Sequence, residues 1–378
     1  MLFTFTKPKS KLTWLITGCS SGFGLTLTRL ALAGGHTVIA TSRSPSRTPS
    51  LVAEVESQGG KWLALDVSDP RSGAIVEELE QSGAEIDVLV NNAGYSIFSP
   101  IETCTEEELR GQMECMYLGP LRLIRAVVPH MRRRRYGVIV NFSTGAALAG
   151  RDTMGAYAGA KAGLDGITRV LAKEVAPYNI RALTVILGAF NTEMAIHTAV
   201  GKNPLPDDYK GSVSDQMFQF LTSPQSSLPG GQTGMGDRNK AMQAVYEVVI
   251  GEGVGAGLEA EQILPLGTDM TARVKGVIES YAHALEAFEH VTLSLTMLPL
   301  TNYELRAKYR RRDNYILKNF LEFLLYKLPN CSKSTYGVLT PEERQDRALT
   351  AMVNVQDPFS PTPKRYKHHV LSPSDIRA

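Results

Sequence analysis

Tyr157 and Lys161 are the two side chains in this sequence best suited to moving a proton. They are four residues apart in a stretch with a helical pattern, so on a helix they share one face, one turn from each other. A tyrosine hydroxyl is a poor acid or base at neutral pH, because its ordinary pKa is ~10. An ammonium one turn away favours the phenolate. We therefore expect Lys161 to lower the pKa of Tyr157 toward a useful value.

Two adjacent hydroxyls, Ser143 and Thr144, precede this pair. The apolar run 138–140 just before them predicts a short buried strand of a parallel sheet. A hydroxyl at the end of that strand is able to hold a substrate oxygen against the phenol. A Tyr-x-x-x-Lys spacing also occurs by chance in many helices, so the interpretation depends on the rest of the chain.

A glycine-rich turn lies near the start of the chain. Residues 12–17 predict a buried strand, the letters GCSSGFG follow at 18–24, and a helix is predicted through about residue 33. Glycines let backbone N–H groups approach a pyrophosphate, and the start of the helix adds favourable partial positive charge. Since such turns also serve plain packing, this element by itself is a weak indication of dinucleotide binding.

The next strands place further side chains at the same edge of the predicted sheet. Residues 36–42 predict a second strand followed by Arg43, which suits the 2′-phosphate of NADP because no carboxylate lies nearby. The alternative for Arg43 is a solvated surface residue. A third strand at 62–65 ends at Asp66, and a fourth at 86–90 runs into the letters NNAG. Alternating strands and helices predict an α/β fold with a doubly wound parallel sheet.

Three motifs in this order resemble the classical short-chain dehydrogenase/reductase family. They are TGCSSGFG at 17–24, NNAG at 91–94 and YAGAK at 157–161. Within that family the sequence looks most like the retinol and 17β-hydroxysteroid dehydrogenase-like branch. The resemblance covers about residues 11–289. It implies a Rossmann fold and an NADP(H)-dependent oxidoreductase that interconverts a carbonyl and an alcohol on a mostly apolar small molecule.

The resemblance also implies roles for individual residues. Tyr157 looks like the proton donor or acceptor, and Lys161 like its activator and a ligand of the nicotinamide ribose. A pyrophosphate site is implied for Gly18, Ser20, Ser21, Phe23 and Gly24. The remaining cofactor contacts implied are Arg43 for the 2′-phosphate, Asp66 and Val67 for the adenine, Asn92 for the adenosine ribose, Arg125 as a basic position on the long helix, and Thr192 for the nicotinamide carboxamide.

Three positions depart from the family pattern. The catalytic serine expected thirteen residues before the tyrosine is Thr144, and Ser143 is a second candidate that strand alternation directs to the other face. The asparagine that places a relay water is Met116, and the usual Pro-Gly is Leu187-Gly188. These departures keep a second hypothesis open, a non-catalytic dinucleotide-binding sensor or scaffold. The retained Tyr157, Lys161 and Thr144 hydroxyl argue against it.

Composition and charge narrow the class of protein further. A chain of 378 residues with 43% hydrophobic residues and a net charge of +2 indicates a globular protein with a sizeable core and no general attraction to nucleic acid. The four cysteines form no CxxC pattern, and neither a metal site nor a signal peptide is predicted. We expect a cytoplasmic enzyme, and the departures together with the long extension suggest specialised metabolism.

The last part of the chain exceeds the family core. After Thr192 comes an irregular stretch that contains Pro, Gly and Ser, and the resemblance implies that it is a substrate lid. A helix predicted from about 270 to 289 closes the domain. Residues 290–356 predict a helical extension and 357–378 a loosely ordered tail. Within the extension, 303–328 is basic and then apolar. Four roles for this segment remain open: packing on the parent domain, covering the substrate mouth, a homo-oligomer contact and peripheral membrane contact.

Overall fold

Seven parallel strands form the central sheet of the computed structural model, which describes residues 5–7, 9–190, 199–222 and 236–294. The strands are β1 (Thr13–Ile16), β2 (Thr37–Ser42), β3 (Lys61–Ala64), β4 (Val88–Asn91), β6 (Gly137–Thr144), β7 (Ile180–Leu187) and β9 (Ile263–Leu266). Their spatial order is β3-β2-β1-β4-β6-β7-β9. A separate pair joins β5 (Ile97–Phe98) to β8 (Ala199–Val200). The predicted doubly wound parallel sheet is confirmed.

Helices cover both faces of this sheet. They are α1 (Gly22–Ala33), α2 (Pro49–Ser57), α3 (Ala74–Gln81), α4 (Glu106–Met113), α5 (Gly119–Arg134), α6 (Gly145–Ala149), α7 (Gly155–Val175), α8 (Val213–Thr222), α9 (Arg238–Ile250), α10 (Met270–Ala287) and α11 (Glu289–Ser294). A π-helical turn, Glu114–Leu118, joins α4 to α5. Helices α1 and α9 pack together on one face, and α3 packs on α5 on the other.

The central strands β1, β4, β6 and β7 are mainly apolar because both of their faces are buried. In β1, Trp14 and Ile16 belong to the core on one side of the sheet, and Leu15 belongs to the core on the other side. Successive side chains of a strand point to opposite faces, so one run of apolar residues supplies both cores. This is why the strands are recognisable from the sequence as short hydrophobic runs.

The two adjacent hydroxyls, Ser143 and Thr144, lie at the end of β6, which with β7 is one of the two longest strands of the sheet. The strand predicted from the apolar run at 138–140 was expected to end at the two hydroxyls, and β6 ends at Thr144. The reason is pairing: β6 stays in register with β7 up to the partners Thr144 and Leu187. All strands run the same way, so the segments that follow β1, β2, β4, β6 and β7 meet at one edge, where open α/β sheets bind ligands.

The chain divides into two compact units, residues 1–289 and 290–378. Of the second unit the structure describes only 290–294, in α11. The predicted basic-then-apolar helix at 303–328 and the tail at 357–378 lie outside the described residues. Among the described residues, no helix is long and apolar enough to cross a membrane.

Candidate active site

The hydroxyls of Thr144 and Tyr157 are brought together at the end of β6. Thr144 is the last residue of β6 and the N-cap of α6, where its Oγ1 accepts a hydrogen bond from the Ala146 N–H at 3.2 Å. The Thr144 hydroxyl also lies close enough to Tyr157 to lower the pKa of its phenol. Thr144 is only partly buried, whereas Tyr157 is buried. The pair thus offers two hydroxyls to a single substrate oxygen.

Lys161 lies one turn further along α7, and its ammonium is held at the strand. Its Nζ donates to the backbone carbonyl of Phe142 at 2.7 Å, and the residue is buried. Burial lowers the pKa of Lys161 to about 8, while the charges of Cys115 and Asp165 act to raise it. A buried ammonium that titrates near neutral pH is unusual for a structural lysine and typical of a functional one.

The pKa of Tyr157 differs from the sequence-based expectation. Burial raises the pKa of Tyr157 to about 12, and although the Thr144 hydrogen bond lowers it, the charge of Asp165 raises it further. The expectation that Lys161 lowers this pKa is therefore wrong for the structure described here. The physical reason is that burial disfavours the phenolate and that the Lys161 ammonium is bonded to a backbone carbonyl.

Ser143, the other hydroxyl candidate, is bonded to a different residue of α7. Its Oγ donates to Asp165 Oδ2 at 2.8 Å, and both residues are buried. Burial raises the pKa of the Asp165 carboxyl. In the part of the chain that the structure describes, the second oxygen of Asp165 has no hydrogen-bond partner. Asp165 was missed from the sequence, although it follows Lys161 by four residues and therefore shares its face of α7.

The glycine-rich turn after β1 packs closely on itself and on the segment that follows β4. Gly18 has φ +73°, and a Cβ at this position would lie 2.8 Å from the Cα of Ala93. A Cβ on Gly24 would collide with the Gly18 carbonyl and the Asn92 amide. Ser21 is the N-cap of α1, yet its side chain makes no capping hydrogen bond. A free N-cap hydroxyl at the start of a twelve-residue helix fits the pyrophosphate of a dinucleotide.

The NNAG segment, which begins at the last residue of β4, stabilises the glycine-rich turn that follows the neighbouring strand β1. The Asn92 amide donates to the carbonyls of Thr17 at 2.8 Å and Gly18 at 3.1 Å. In return, Thr17 Oγ1 accepts from the backbone N–H of Asn92 at 3.0 Å and of Ala93 at 3.1 Å. Asn92 is thus tied to the turn by its side chain, and its role at the adenosine ribose stays a prediction. Thr17 is a supporting residue that the sequence analysis had not singled out.

The candidates for the adenosine end lie near one another at the edge of the sheet. Arg43 and Asp66 are both exposed. Burial raises the pKa of the Cys115 thiol. The charge of Arg43 lowers this pKa and the charge of Asp66 raises it, so the thiol feels both charges. Asp66 Oδ1 accepts from the Ser68 N–H at 2.9 Å. Val67 is buried and its backbone packs tightly on Gly119. A Cβ added to Gly119 would lie only 2.6 Å from the Val67 carbonyl oxygen.

Three other candidates are placed differently. The Phe23 ring packs edge-on against Phe142 and Phe190, with centroids 6.2 and 5.4 Å away, so its side chain belongs to the core and only its backbone faces the turn. Arg125 is exposed on α5, and no hydrogen bond or ion pair of the described residues joins it to the other candidates. Thr192 lies outside the described residues.

The two apolar departures from the family pattern are both buried. Met116 is fully buried in the π-helical turn and packs against Gly94. A Cβ added to Gly94 would lie 3.3 Å from the Met116 Sδ. The position of the relay asparagine is thus an apolar contact with the NNAG segment. Leu187 is buried at the end of β7, and the Gly188 N–H donates to the Leu266 carbonyl at 2.8 Å. The strand therefore continues its pairing without the usual proline.

The doubly wound parallel sheet sets the fold class, and comparison with known proteins identifies the family. The family model described as short chain dehydrogenase matches residues 13–202, about half of the chain. The chain belongs to the short-chain dehydrogenase family. It is therefore an oxidoreductase of the dehydrogenase/reductase type.

Individual relatives agree with this assignment. The chain is 38% identical over 182 residues to the oxidoreductase claN of Passalora fulva, covering 48% of this chain and 83% of the relative. It is 36% identical over 228 residues to the 3-oxoacyl-[acyl-carrier-protein] reductase FabG of Thermotoga maritima, and the match covers 58% of this chain and 93% of that relative. A short-chain dehydrogenase structure from Streptomyces avermitilis has 31% identity and a TM-score of 0.65, covering 76% of this chain and 100% of that one.

Proposed function

We propose that this chain is an NADP(H)-dependent carbonyl reductase for a mostly apolar small molecule, with Tyr157 as the proton donor. The observation that carries the proposal is the placement of Thr144 at the end of β6 and of Tyr157 on α7, with the Lys161 ammonium one helical turn away and bonded to the Phe142 carbonyl of the same strand. The Thr144 hydroxyl is close enough to Tyr157 to lower the pKa of its phenol. The chain's membership of a dehydrogenase family supports the reaction class. Its placement in the retinol and 17β-hydroxysteroid dehydrogenase-like branch is part of the proposal and depends on the sequence motifs.

In the proposed mechanism the protein supplies a proton and a fixed geometry. The reduced nicotinamide, when bound, supplies the hydride to the carbonyl carbon. Thr144 Oγ1 donates a hydrogen bond to the carbonyl oxygen, and Tyr157 transfers its phenolic proton to the same oxygen. The Lys161 ammonium then stabilises the phenolate that is left. Because burial raises the pKa of Tyr157 to about 12, the phenol is protonated at neutral pH, which suits the reductive direction.

NADP(H) is proposed over NAD(H) because of the charges that follow β2. Arg43 is exposed directly after the strand, and the next acidic residue along the chain is Glu54. Glu54 is held by Arg29, with Oε2 accepting from Nη2 at 2.7 Å. A carboxylate for the ribose hydroxyls of NAD is therefore lacking in residues 43–53, whereas the guanidinium suits a 2′-phosphate.

The remaining cofactor contacts are part of the same proposal. The turn with Gly18, Ser20, Ser21 and Gly24 and the backbone of Phe23 would hold the pyrophosphate. Asp66 and Val67 would contact the adenine and Asn92 the adenosine ribose, while Lys161 would also bind the nicotinamide ribose. Arg125 and Thr192 keep the roles that the resemblance implies.

A non-catalytic sensor or scaffold is the less favoured alternative. Met116 and Leu187 motivate it, since both replace residues of the family pattern. A protein that only binds a dinucleotide has no need for Thr144, Tyr157 and Lys161 together.

The test is consumption of NADPH, followed by fluorescence, against a panel of ketones, aldehydes and quinones. We expect turnover by the unaltered protein, and almost none by Tyr157→Phe, which keeps the ring but lacks the transferable proton. The dissociation constant for NADPH should be similar in both proteins. Binding of NADPH without consumption across the whole panel would instead favour the sensor or scaffold.

A further inference from the structure

Arg273 packs directly beside the residue that follows the Thr144 hydroxyl. A Cβ on Gly145 would lie 3.0 Å from Arg273 Cδ and 3.4 Å from its Nε. The guanidinium is oriented by its own helix, because Nε donates to Asp269 Oδ2 at 2.7 Å. The other oxygen of Asp269 accepts from the Ala189 N–H at 3.1 Å, so both oxygens of this carboxylate are engaged. Among the described residues, no hydrogen bond engages the two terminal nitrogens of Arg273, so their N–H groups are donors for another acceptor.

Arg151 brings a second guanidinium to the same place. It lies in the short connection between α6 and α7, directly after Gly150, whose φ is +74°. Arg151 lies at the surface with part of its side chain covered by neighbouring residues, and it has neither a hydrogen bond nor an ion pair among the described residues. Partial burial lowers the pKa of Arg151, and the like charge of Arg273 lowers it further, while Asp269 and Asp152 raise it. Helix α10, which carries Arg273, packs on α6, and Arg151 follows the end of α6 by two residues. The fold therefore brings both arginines to the same end of α6.

The arrangement is suited to an anion. Guanidinium groups recognise carboxylates and phosphates through pairs of parallel N–H···O bonds. Here one guanidinium has no partner among the described residues, and the other is held so that its end remains available. Oxygens of an anion placed between them would accept from both and would relieve the repulsion between the two like charges.

The distance between Arg151 and the Thr144 hydroxyl follows from the length of α6. Thr144 caps the start of this helix, and Arg151 follows its end by two residues. The five residues of α6 span about 7.5 Å at 1.5 Å per residue. A substrate that reaches both places would carry its negative group several bonds away from its carbonyl.

We propose that Arg151 and Arg273 form an anion-recognising subsite for a carboxylate or phosphate on the substrate. The inference rests on the proposed function and narrows its substrate class, from a mostly apolar molecule to an apolar molecule with an anionic group remote from the carbonyl. Arg151 and Arg273 act on binding and specificity, and the proton transfer remains with Tyr157.

The test measures binding of unreactive probes to the NADPH-loaded protein by calorimetry. The probes are straight-chain carboxylates of graded length, the alcohols of equal length, and the corresponding alkyl phosphates. We expect the unaltered protein to bind one of the two anionic series about 10-fold to 100-fold more tightly than the alcohols, the range expected for a charge-assisted hydrogen bond. The series that binds more tightly identifies the anion as carboxylate or phosphate.

Three variants assign that preference to the two arginines. Arg151→Gln should remove most of it, and Arg273→Gln should do the same. Lys275→Gln removes an exposed positive charge from the same helix, α10, and should keep the preference. Because Arg273→Gln also breaks the pair with Asp269, Arg151→Gln is the decisive variant.

Three results would overturn the proposal: equal binding of anionic and neutral probes by the unaltered protein, an unchanged preference in Arg151→Gln, or an equal loss in Lys275→Gln. A weaker affinity for NADPH in Arg151→Gln would also overturn it, since the arginine would then belong to the cofactor site. None of these measurements needs turnover, so failure of the subsite is distinguishable from failure of the proposed reductase activity.

Discussion

The Ser143 hydroxyl donates a hydrogen bond to Asp165 Oδ2 at 2.8 Å, two turns of α7 beyond Tyr157. The adjacent Thr144 hydroxyl lies close enough to Tyr157 to lower the pKa of its phenol. Two neighbouring hydroxyls of one strand therefore have different partners on the same helix. This relationship supports Thr144 as the hydroxyl that holds the substrate oxygen.

Thr144→Ala should lower the turnover number by about two to three orders of magnitude, the usual loss for one positioned catalytic hydrogen bond. It should also lower the free energy of unfolding by about 1 kcal/mol, because Thr144 caps α6. Thr144→Ser keeps the hydroxyl and should retain most activity. Steady-state kinetics and thermal unfolding of the two variants measure these effects.

Ser143→Ala should affect stability more than turnover. The substitution leaves the buried Asp165 carboxyl without its hydrogen-bond donor, which costs about 1–3 kcal/mol. Chemical denaturation measures this loss, and the kinetics of the same variant should stay close to those of the unaltered enzyme. An inactive Ser143→Ala enzyme beside an active Thr144→Ala enzyme would transfer the catalytic role to Ser143.

The reductive kcat/KM should fall as the pH is raised through about 8. Burial lowers the pKa of Lys161 to about 8, so its ammonium is present below that pH and becomes a neutral amine above it. The neutral amine no longer stabilises the phenolate of Tyr157. Asp165→Asn removes a negative charge that raises the pKa of Lys161, so the midpoint should move to lower pH. An identical pH profile for Asp165→Asn would contradict this account.

Arg43→Asp should weaken binding of NADPH about 10-fold to 100-fold and leave binding of NADH little changed, because only NADPH carries the 2′-phosphate. Fluorescence titration of both cofactors measures the two dissociation constants. Arg110→Asp, which alters an exposed arginine paired with Glu106 on α4, is the matched control. Equal dissociation constants for NADPH and NADH in the unaltered protein would defeat the proposed cofactor preference.

Gly24→Ala should lower both thermal stability and affinity for NADPH. The new Cβ would collide with the Gly18 carbonyl and the Asn92 amide, so the glycine-rich turn has to shift. Overpacking of this kind costs about 1–3 kcal/mol. Gly166→Ala in α7 is the control, because its Cβ would meet nothing within 4 Å. The control should be neutral or slightly stabilising, since alanine favours a helix.

The sequence by itself determined the sheet and the places where chemistry is expected. Strands buried on both faces are continuous apolar runs, and turns that need glycine carry glycine, so both are visible in short stretches of sequence. Tyr157 and Lys161 were assigned to one face of a helix from their spacing alone, and α7 has both residues on a continuous helix. These features depend on neighbours within a few residues.

The tertiary structure decided what those residues meet. The spacing of Tyr157 and Lys161 suggested a lowered tyrosine pKa, yet burial by the packed sheet raises that pKa to about 12. The extension of β6 through Thr144 depends on its pairing with β7, and the contact of Arg273 with Gly145 joins residues 128 positions apart. Desolvation and long-range packing are properties of the assembled core, and no short stretch of sequence contains them.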